Sequence, residues 1–307
     1  MKNEELKNVR GCIDFGGKEA AIRNFISKTL QEVFEKYGYS PLETSILCYY
    51  DLLALKYDED NDILKEIYKV SDQGNRNLAL RYDLTVPFAK FIASNKDIKL
   101  PYKRYEIGKV FRDGPIKKGR VREFIQCDVD SVGIEGQMIE AELISIFVEG
   151  YKKLGIDIII KYNNRKLMNG LIEVCNISRE KINQVITLID KIEKMSNNEL
   201  MQELYNLELQ EKQVEDLFNY LNKDLNSLNN LFKDSNNINL KEGLEELNQL
   251  NNYINSLNLD DYVKFTPSLA RGQEYYTGTI FEVYAKDGIV KSSIGGGGRY
   301  DNMIVNL

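Results

Sequence analysis

The chain has 307 residues, of which 43% are hydrophobic and 29% are charged, a composition typical of folded globular proteins that excludes wholesale disorder. Its 41 Lys and Arg against 47 Asp and Glu give a net charge of -6, which argues against a protein that coats nucleic acid non-specifically. The sequence contains no histidine. This excludes Ser-His-Asp and Cys-His catalysis and His-ligated zinc.

The cysteines and the N-terminus indicate the cellular compartment. Cys12, Cys48, Cys127 and Cys175 are widely spaced and form no CxxC pair, so neither a zinc cluster nor a redox dithiol is indicated. The first residues are polar and acidic, and no apolar run approaches the ~18 residues of a membrane span. We therefore expect a cytoplasmic protein with reduced thiols and no membrane partner.

Hydrophobic periodicity and the positions of proline and glycine predict the order of elements. No proline occurs between residues 116 and 266, and Gly243 is the only glycine between residues 171 and 271. The predicted elements are a helix over 18–37, strands over 102–112 and 123–132, a helix over 138–154, helices over about 165–260, and strands over 275–294, which end in four glycines. The fold class is therefore an α+β core split in sequence by a helical insertion.

The second predicted strand has one polar face. Because side chains alternate along a strand, one face carries Phe124, Gln126, Asp128 and Asp130. The other face carries Ile125, Cys127 and Val129 and can pack on a core. An aromatic ring, an amide and two carboxylates on one face indicate a polar ligand, and a solvent-exposed sheet face is the alternative.

A basic loop precedes this strand. It runs from Asp113 to Arg122 and carries Lys117, Lys118, Arg120 and Arg122. Guanidinium groups bind phosphate in a bidentate manner, and lysine adds charge. Together with Phe124 the loop suggests a nucleotide site, with the base stacked on the ring and the phosphates on the arginines. A solvated hairpin tip is the alternative for the individual lysines.

These residues resemble motif 2 of the class II aminoacyl-tRNA synthetases, which they match at Phe111-Arg112 and at Arg122–Gln126. Three further stretches narrow the resemblance to the histidyl-tRNA synthetases, namely Leu80–Thr85, Arg271–Gly278 and Gly296–Asp301. Arg10-Gly11 with Asp14-Phe15 is similar to the family's opening. The resemblance implies an antiparallel sheet flanked by helices, with catalytic core at 1–164 and 261–307 and an all-α insertion domain at 165–260.

The resemblance also implies an activity and its residues. The reaction joins histidine to ATP as histidyl-adenylate and passes the histidyl group to the acceptor end of tRNA(His). Arg112 and Arg271 match the catalytic arginines at the α-phosphate, and both also match contacts to histidine. The remaining matches to histidine contacts are Asp83, Thr85, Gln126, Asp130, Tyr275 and Tyr276. The matches to ATP contacts are Arg112, Arg120, Glu123, Phe124 and Arg271.

Further expectations follow from the same resemblance. ATP is a substrate, Mg2+ is bound through its phosphates, and the protein itself holds no metal. The family's motif 1 forms a homodimer interface, for which residues 34–53 are the candidates here, although Ser45 stands where the family has proline. The chain stops before motif 3 and the anticodon-binding domain, which suggests a truncated product of low or no activity.

Other interpretations remain open. The regulatory subunit of ATP phosphoribosyltransferase is a paralogue that binds histidine without ligating it, and it lacks the C-terminal domain. A pseudo-synthetase domain that serves as an interaction partner is a third candidate. Individual residues have structural alternatives too. Asp83 can cap a helix, Tyr275 and Tyr276 can be ordinary strand aromatics, and the four glycines can form a flexible turn.

Overall fold

The strands predicted over 102–112 and 123–132 occur within one residue of their expected bounds, at Tyr102–Phe111 and Glu123–Val132. A computed structural model describes residues 6–54, 62–117, 119–192, 195–271 and 275–303. Lys118 of the basic loop and residues 272–274 of the Arg271 motif lie outside the described residues. The chain forms two compact units, one reaching Ile134 and including Met303, and the other Glu135–Asn302.

The described part of the first unit forms four α-helices and six strands. In chain order they are α1 (Gly17–Lys36), β1 (Ser40–Pro41), β2 (Leu47–Tyr49), α2 (Tyr50–Ala54), α3 (Asp62–Lys65), β3 (Lys69–Val70), β4 (Leu78–Leu80), α4 (Thr85–Ser94), β5 (Tyr102–Phe111) and β6 (Glu123–Val132). One sheet has the order β1-β5-β6, and the other has the order β2-β4-β3.

The antiparallel hairpin of β5 and β6 is the centre of the first unit. Ten residue pairs join the two strands, from Tyr102 opposite Val132 to Phe111 opposite Glu123. The basic loop connects them. Its tip closes between Lys117 and Arg120, whose backbone groups exchange two hydrogen bonds. The strand bounds agree with the sequence prediction because both runs alternate regularly and the loop holds Pro115 and Gly119, which stop the strands.

In the second unit the described residues form seven α-helices and four strands. They are α5 (Met138–Lys153), β7 (Ile158–Asn164), α6 (Arg165–Val174), α7 (Ile182–Ile189), α8 (Asn197–Asn206), α9 (Glu211–Leu221), α10 (Leu225–Leu231), α11 (Ile238–Ser256), β8 (Val263–Phe265), β9 (Thr279–Ala285) and β10 (Gly295–Gly298). The strands form one sheet of order β10-β9-β7-β8.

Two clusters of apolar side chains hold this unit together. One joins β7 and β9 to α5, α6, α10 and α11, and the other joins α6 to α7, α8 and α9. The regularly spaced leucines of the helical segment lie in these clusters, whereas Leu231 is 51% exposed. In the described residues the predicted helical segment forms six α-helices. Polar residues cap the N-termini of several of them, such as Ser196 before α8 and Asn237 before α11. The status of this segment as a separate domain bounded at 165 and 260 stays a proposal.

The crossing of α6 and α11 is unusually close. A Cβ atom on Gly170 would lie 2.5 Å from the backbone nitrogen of Leu240, and one on Gly243 would meet the backbone of Leu167. Each helix therefore presents a glycine to the backbone of the other. Gly170 and Gly243 are therefore explained by this close contact between helices and not by a turn.

The prediction of continuous strands over 275–294 is wrong in part. Only Thr279–Ala285 is a strand there, and the next strand is formed by the four glycines themselves, which pair with β9 from Gly295 opposite Val283 to Gly298 opposite Ile280. Glycine has low strand propensity, so the pattern assigned these residues to the end of a strand. Pairing with a buried neighbour strand outweighs that propensity.

Candidate active site

Residues at the start of α4 form the first part of the candidate site. The Asp83 carboxylate is buried and accepts a hydrogen bond of 2.9 Å from the backbone N–H of Val86. This is the helix-capping interaction considered from the sequence, and it fixes the carboxylate at the helix start. Thr85 is the first residue of α4 and is half-buried. The two side chains therefore stand at the same helix N-terminus.

The polar face of β6 is the second part. Gln126 lies opposite Gly108, Asp128 opposite Glu106, and Asp130 opposite Arg104. The Gln126 Oε1 atom is buried and has no hydrogen-bond partner among the residues that the structure describes. A buried acceptor without a partner is costly. It is the kind of group that a ligand donor satisfies.

The interpretation of the opposite face needs correction. Ile125 is 38% exposed and Cys127 is also exposed, so the described residues leave this part of the face uncovered, whereas Tyr105, opposite Val129, is buried against the ring of Phe34. The reason is that charged side chains of β5, notably Arg104 and Glu106, are fully buried on the polar side. Paired charges make that side the interior one, which the alternation of residue types alone does not reveal.

Charges surround the two aspartates of β6. The Arg104 Nη2 atom lies 2.6 Å from Asp130 Oδ2, and its Nη1 atom lies 3.8 Å from Glu106 Oε2. Burial, and then the charge of Asp130, raise the pKa of Asp128 to about 7, although Arg104 acts in the opposite direction. The face thus combines a carboxylate held by a cation with a carboxyl group that titrates near neutral pH.

Arg112 lies between two aromatic rings. Its guanidinium carbon is 4.2 Å from the ring centre of Tyr82 and 5.1 Å from that of Phe124, and its Nε donates to the Tyr82 carbonyl at 3.2 Å. These contacts orient a cation at the end of β5, beside Phe124 at the start of β6. The arrangement suits an anion held next to a flat ring.

The other proposed ATP contacts in this unit lie nearer to solvent. Glu123 pairs with Lys109 at 2.6 Å. Arg120 is exposed at the hairpin tip, as is Lys117. Arg122 is held back from the tip by Asp113, at 2.9 Å. The structure therefore brings Arg112 and Phe124 together and leaves Arg120 on an open loop.

In the second unit, Arg271 is held by an acidic partner. Its Nη1 lies 3.0 Å from Glu282 Oε1, and its guanidinium carbon is 5.7 Å from the ring centre of Tyr276. The rings of Tyr275 and Tyr276 are 4.7 Å apart, and Tyr276 is buried. Neither tyrosine belongs to a strand, so the alternative of ordinary strand aromatics does not apply.

The glycines of β10 make room for these side chains. A Cβ atom on Gly296 would overlap the Arg271 guanidinium, and one on Gly298 would lie 2.8 Å from the ring of Tyr276. The glycine run is thus a strand whose surface accommodates the site residues, and not a flexible turn.

The sequence analysis did not predict a buried ionic network next to the polar face of β6. Arg81 and Glu106 pair at 2.7 Å, and the Glu106 carboxylate also accepts from the backbone N–H of Thr44 at 3.0 Å. Arg104 extends this network to Asp130. Glu282, which holds Arg271, was missed as well. The sequence does show charged residues at alternate positions of β5. Only the register of β5 against β6 shows that these residues are buried next to the aspartates.

Within the described residues, no group of three or more Cys, Asp or Glu side chains is arranged so that it could hold a metal ion. Among the same residues, no helix has both the length and the hydrophobicity needed to cross a membrane.

Comparison with known proteins identifies the family. The family model described as histidyl-tRNA synthetase matches residues 11–307. The chain belongs to the histidyl-tRNA synthetase family. It is 49% identical to histidine–tRNA ligase 1 of Bacillus cereus over 301 residues, which is 98% of this chain and 69% of that protein. It is 43% identical to histidine–tRNA ligase 2 of Shouchella clausii, covering 100% of this chain and 73% of that protein.

Solved structures of the histidyl-tRNA synthetase family share the fold. A histidyl-tRNA synthetase from Nostoc sp. PCC 7120 superposes with a TM-score of 0.88 at 27% identity, covering 98% of this chain and 70% of that one. A protein from Bacillus halodurans, titled as an ATP phosphoribosyltransferase regulatory subunit/histidyl-tRNA synthetase, superposes with a TM-score of 0.85 at 22% identity, covering 98% and 78%. The second similarity concerns the fold alone. The α+β class with an antiparallel sheet and many helices is confirmed.

Proposed function

We propose that the chain is a histidine–tRNA ligase that activates histidine with ATP and transfers it to tRNA(His). The observation that supports this most directly is the polar face of β6, which carries Gln126 and the two aspartates. The buried Oε1 atom of Gln126 has no hydrogen-bond partner in the part of the chain that the structure describes. Amide and carboxylate acceptors suit the ammonium group and ring N–H of histidine. The relatives named above carry the same activity in their names.

Each group of residues has a distinct role in this proposal. Asp83, Thr85 and Gln126 bind the substrate ammonium group. Asp130 and the tyrosines Tyr275 and Tyr276 recognise the imidazole ring, whose N–H requires an acceptor and whose bare nitrogen requires a donor. A site built to hydrogen-bond both nitrogens rejects apolar side chains of the same size.

The two arginines serve the activation step. Arg112 neutralises the substrate carboxylate and the α-phosphate and brings them to attack distance, with Phe124 and Glu123 on the adenine side and Arg120 on the phosphates. Arg271 stabilises the charge that develops at the α-phosphate. The carboxylate oxygen of histidine forms the new bond to phosphorus as pyrophosphate leaves, so no protein base is needed. Mg2+ is proposed to arrive on the ATP phosphates.

Further properties belong to the same proposal. A homodimer in the cytoplasm is expected, and exposed apolar side chains support the dimer. On α1 these are Ile22 at 48%, Phe25 at 59% and Ile26 at 38% exposure. Of the apolar residues expected at an interface within 34–53, Ile46, Leu47 and Tyr49 are exposed. Phe34 and Leu53 are instead buried within the chain.

Pyrophosphate exchange into ATP tests the ligase directly. However low its rate in this chain, the exchange should depend on histidine and should not be supported by phenylalanine. In Arg271→Ala the exchange rate should fall by about 10²–10³ while the dissociation constant of histidine changes only a few-fold. Arg179→Ala, at a side chain 90% exposed, is the control. Exchange in Arg271→Ala within a few-fold of the unsubstituted chain would assign a structural role to Arg271.

The second candidate is a histidine-binding regulatory protein. The similarity in fold to the Bacillus halodurans protein supports it. Histidine binding without any exchange would favour this candidate. The orientation of Arg112 between Tyr82 and Phe124, and of Arg271 by Glu282, favours the ligase, because binding of histidine alone does not require two positioned guanidinium groups.

A further inference from the structure

A fully buried arginine joins two parts of the proposed histidine site. The side chain of Arg104 on β5 is 0% exposed. Its Nη2 lies 2.6 Å from Asp130 Oδ2 on the neighbouring strand and donates to the Leu84 carbonyl at 3.2 Å. Its guanidinium carbon is 4.4 Å from the ring centre of Phe88 on α4. One planar cation therefore contacts β6 and the start of α4 together.

The residues that Arg104 contacts belong to two parts of the proposed histidine site. Leu84 stands between Asp83 and Thr85, the proposed ammonium contacts, whereas Asp130 is the proposed imidazole contact. We propose that Arg104 is a positioning residue for histidine recognition, which sets the Asp130 carboxylate in register with the Asp83–Thr85 segment. This inference rests on the proposed function, since it assumes that these residues bind histidine.

The charges around Asp130 show why a cation is needed there. Asp128 is its neighbour on the same face, Glu106 lies opposite Asp128 on β5, and Asp83 is close enough to influence the titration of Asp128. Carboxylates brought together out of water tend to share protons. The positive charge of Arg104, whose Nη2 lies 2.6 Å from Asp130 Oδ2, offsets this crowding of acidic groups and holds the Asp130 side chain in place as an acceptor for an imidazole N–H.

The shape of the side chain matters as well as its charge. The rigid guanidinium plane allows Nη2 to contact both Asp130 and the Leu84 carbonyl while the face of the group lies over the ring of Phe88, an orientation that the planar group keeps fixed. A lysine ammonium group is a single point of charge on a flexible stem. Arg104→Lys should therefore retain the charge beside Asp130 but lose the simultaneous link to Leu84.

The test compares two ligands by calorimetry on the 307-residue chain. Histidine has a ring N–H, and 2-thiazolylalanine has a ring of similar shape without one. In Arg104→Met, histidine affinity should fall by about 10- to 100-fold, as for loss of a hydrogen bond to a well-placed charged group. Affinity for 2-thiazolylalanine should change much less, so the preference for histidine collapses. Arg104→Lys should give an intermediate preference.

Arg81→Lys is the matched control. Arg81 is also a buried arginine and pairs with Glu106 at 2.7 Å, and its hydrogen bonds go to Thr44, Glu106 and Lys109. This variant should keep the preference for histidine even if its melting temperature falls. Adding Arg104→Met to Asp130→Asn should cause no further loss of preference, because the group that Arg104 positions is already altered.

The outcomes separate the two proposals. If the unsubstituted chain prefers histidine and both Arg104 variants keep that preference, the positioning role is overturned. If Arg104→Met does not fold, as shown by circular dichroism, Arg104→Lys alone decides, and a preference equal to that of the unsubstituted chain overturns the role. If the unsubstituted chain shows no preference for histidine, the proposed function fails first and the role of Arg104 falls with it.

Discussion

The guanidinium group of Arg271 lies against the backbone of Gly296, in the space that a Cβ atom at position 296 would occupy. Arg271, which is proposed to stabilise the charge of the transition state, therefore packs directly on the glycine strand β10. Glu282 holds the same guanidinium group, with its Oε1 atom 3.0 Å from Nη1 of Arg271. The arginine comes from one histidine-specific motif and the glycine from the other. Residues of the two motifs therefore lie in contact within the second unit.

Gly296→Ala tests this relationship. The new methyl group would overlap the Arg271 guanidinium, and it cannot shift away because it would also lie 2.8 Å from the Phe281 carbonyl. The side chain of Arg271 must therefore move. We expect binding of a non-hydrolysable histidyl-adenylate analogue to weaken by about 10-fold or more. The same-strand control is Gly297→Ala, whose Cβ would meet only the ring of Phe281, at 3.1 Å. Equal binding by the two variants would show that the Arg271 contact does not matter.

The strands β5 and β6 could be predicted from the sequence, whereas β10 could not. Arg112, Phe124 and Gln126 became candidate site residues because a two-residue period and a basic loop have direct chemical meaning. The strand of glycines was assigned to the end of its neighbour because its local propensity is poor. Its pairing with β9 depends on residues far away in sequence.

The buried ionic network could not be predicted for a different reason. Arg104 and Glu106 look like solvent-exposed residues of a strand, since isolated charges are rarely buried. Their burial depends on Asp130, on Arg81, and on the register that places them together. The alternation of residues along a strand shows which side chains share a face. It does not show which face is buried when one face is apolar and the other carries charges that can pair.

Gly243→Ala should destabilise the second unit. The added methyl group would overlap the backbone of Leu167 at the crossing of α6 and α11, and backbone cannot move aside as a flexible side chain can. Overpacking of this kind costs about 1–3 kcal/mol, which chemical denaturation would measure. Glu245→Ala, at an exposed position of the same helix, should be nearly neutral. A neutral Gly243→Ala would show that the helices can separate without cost.

Asp128→Asn should change how stability depends on pH. The folded pKa of Asp128 is raised to about 7, above its ordinary value of 3.8. The folded state therefore binds this proton more tightly, and its stabilising contribution is full below about pH 4 and is lost as pH rises through 7.

The side chain in Asp128→Asn does not titrate, so the variant does not lose stability in this way as the pH rises. Its unfolding free energy, relative to the unsubstituted chain, should increase between pH 4.5 and pH 8 by more than about 1 kcal/mol. Denaturation at both pH values measures the difference, and Asp97→Asn, at an exposed side chain, is the control. The same relative stability at both values would mean that Asp128 titrates as an ordinary carboxyl group.

Phe25→Glu should disrupt the proposed homodimer. Phe25 is 59% exposed on α1 beside Ile22 and Ile26, and a charge buried at the centre of an apolar interface is strongly unfavourable. Light scattering coupled to gel filtration should give twice the 35.4 kDa chain mass for the unsubstituted chain and a single mass for the variant. Ile238→Glu, at a residue 71% exposed in the second unit, should remain dimeric. A monomeric unsubstituted chain would refute the dimer.

The central claim is that this chain recognises histidine, and direct titration tests it most simply. Calorimetric titration with histidine, and in parallel with phenylalanine, requires neither ATP nor tRNA. The unpartnered acceptor of Gln126 and the carboxylate of Asp130 held by Arg104 predict saturable heat with histidine and at least about 100-fold weaker binding of phenylalanine, whose ring leaves these polar groups unsatisfied. Equal heats for the two amino acids, or none for either, would contradict the account.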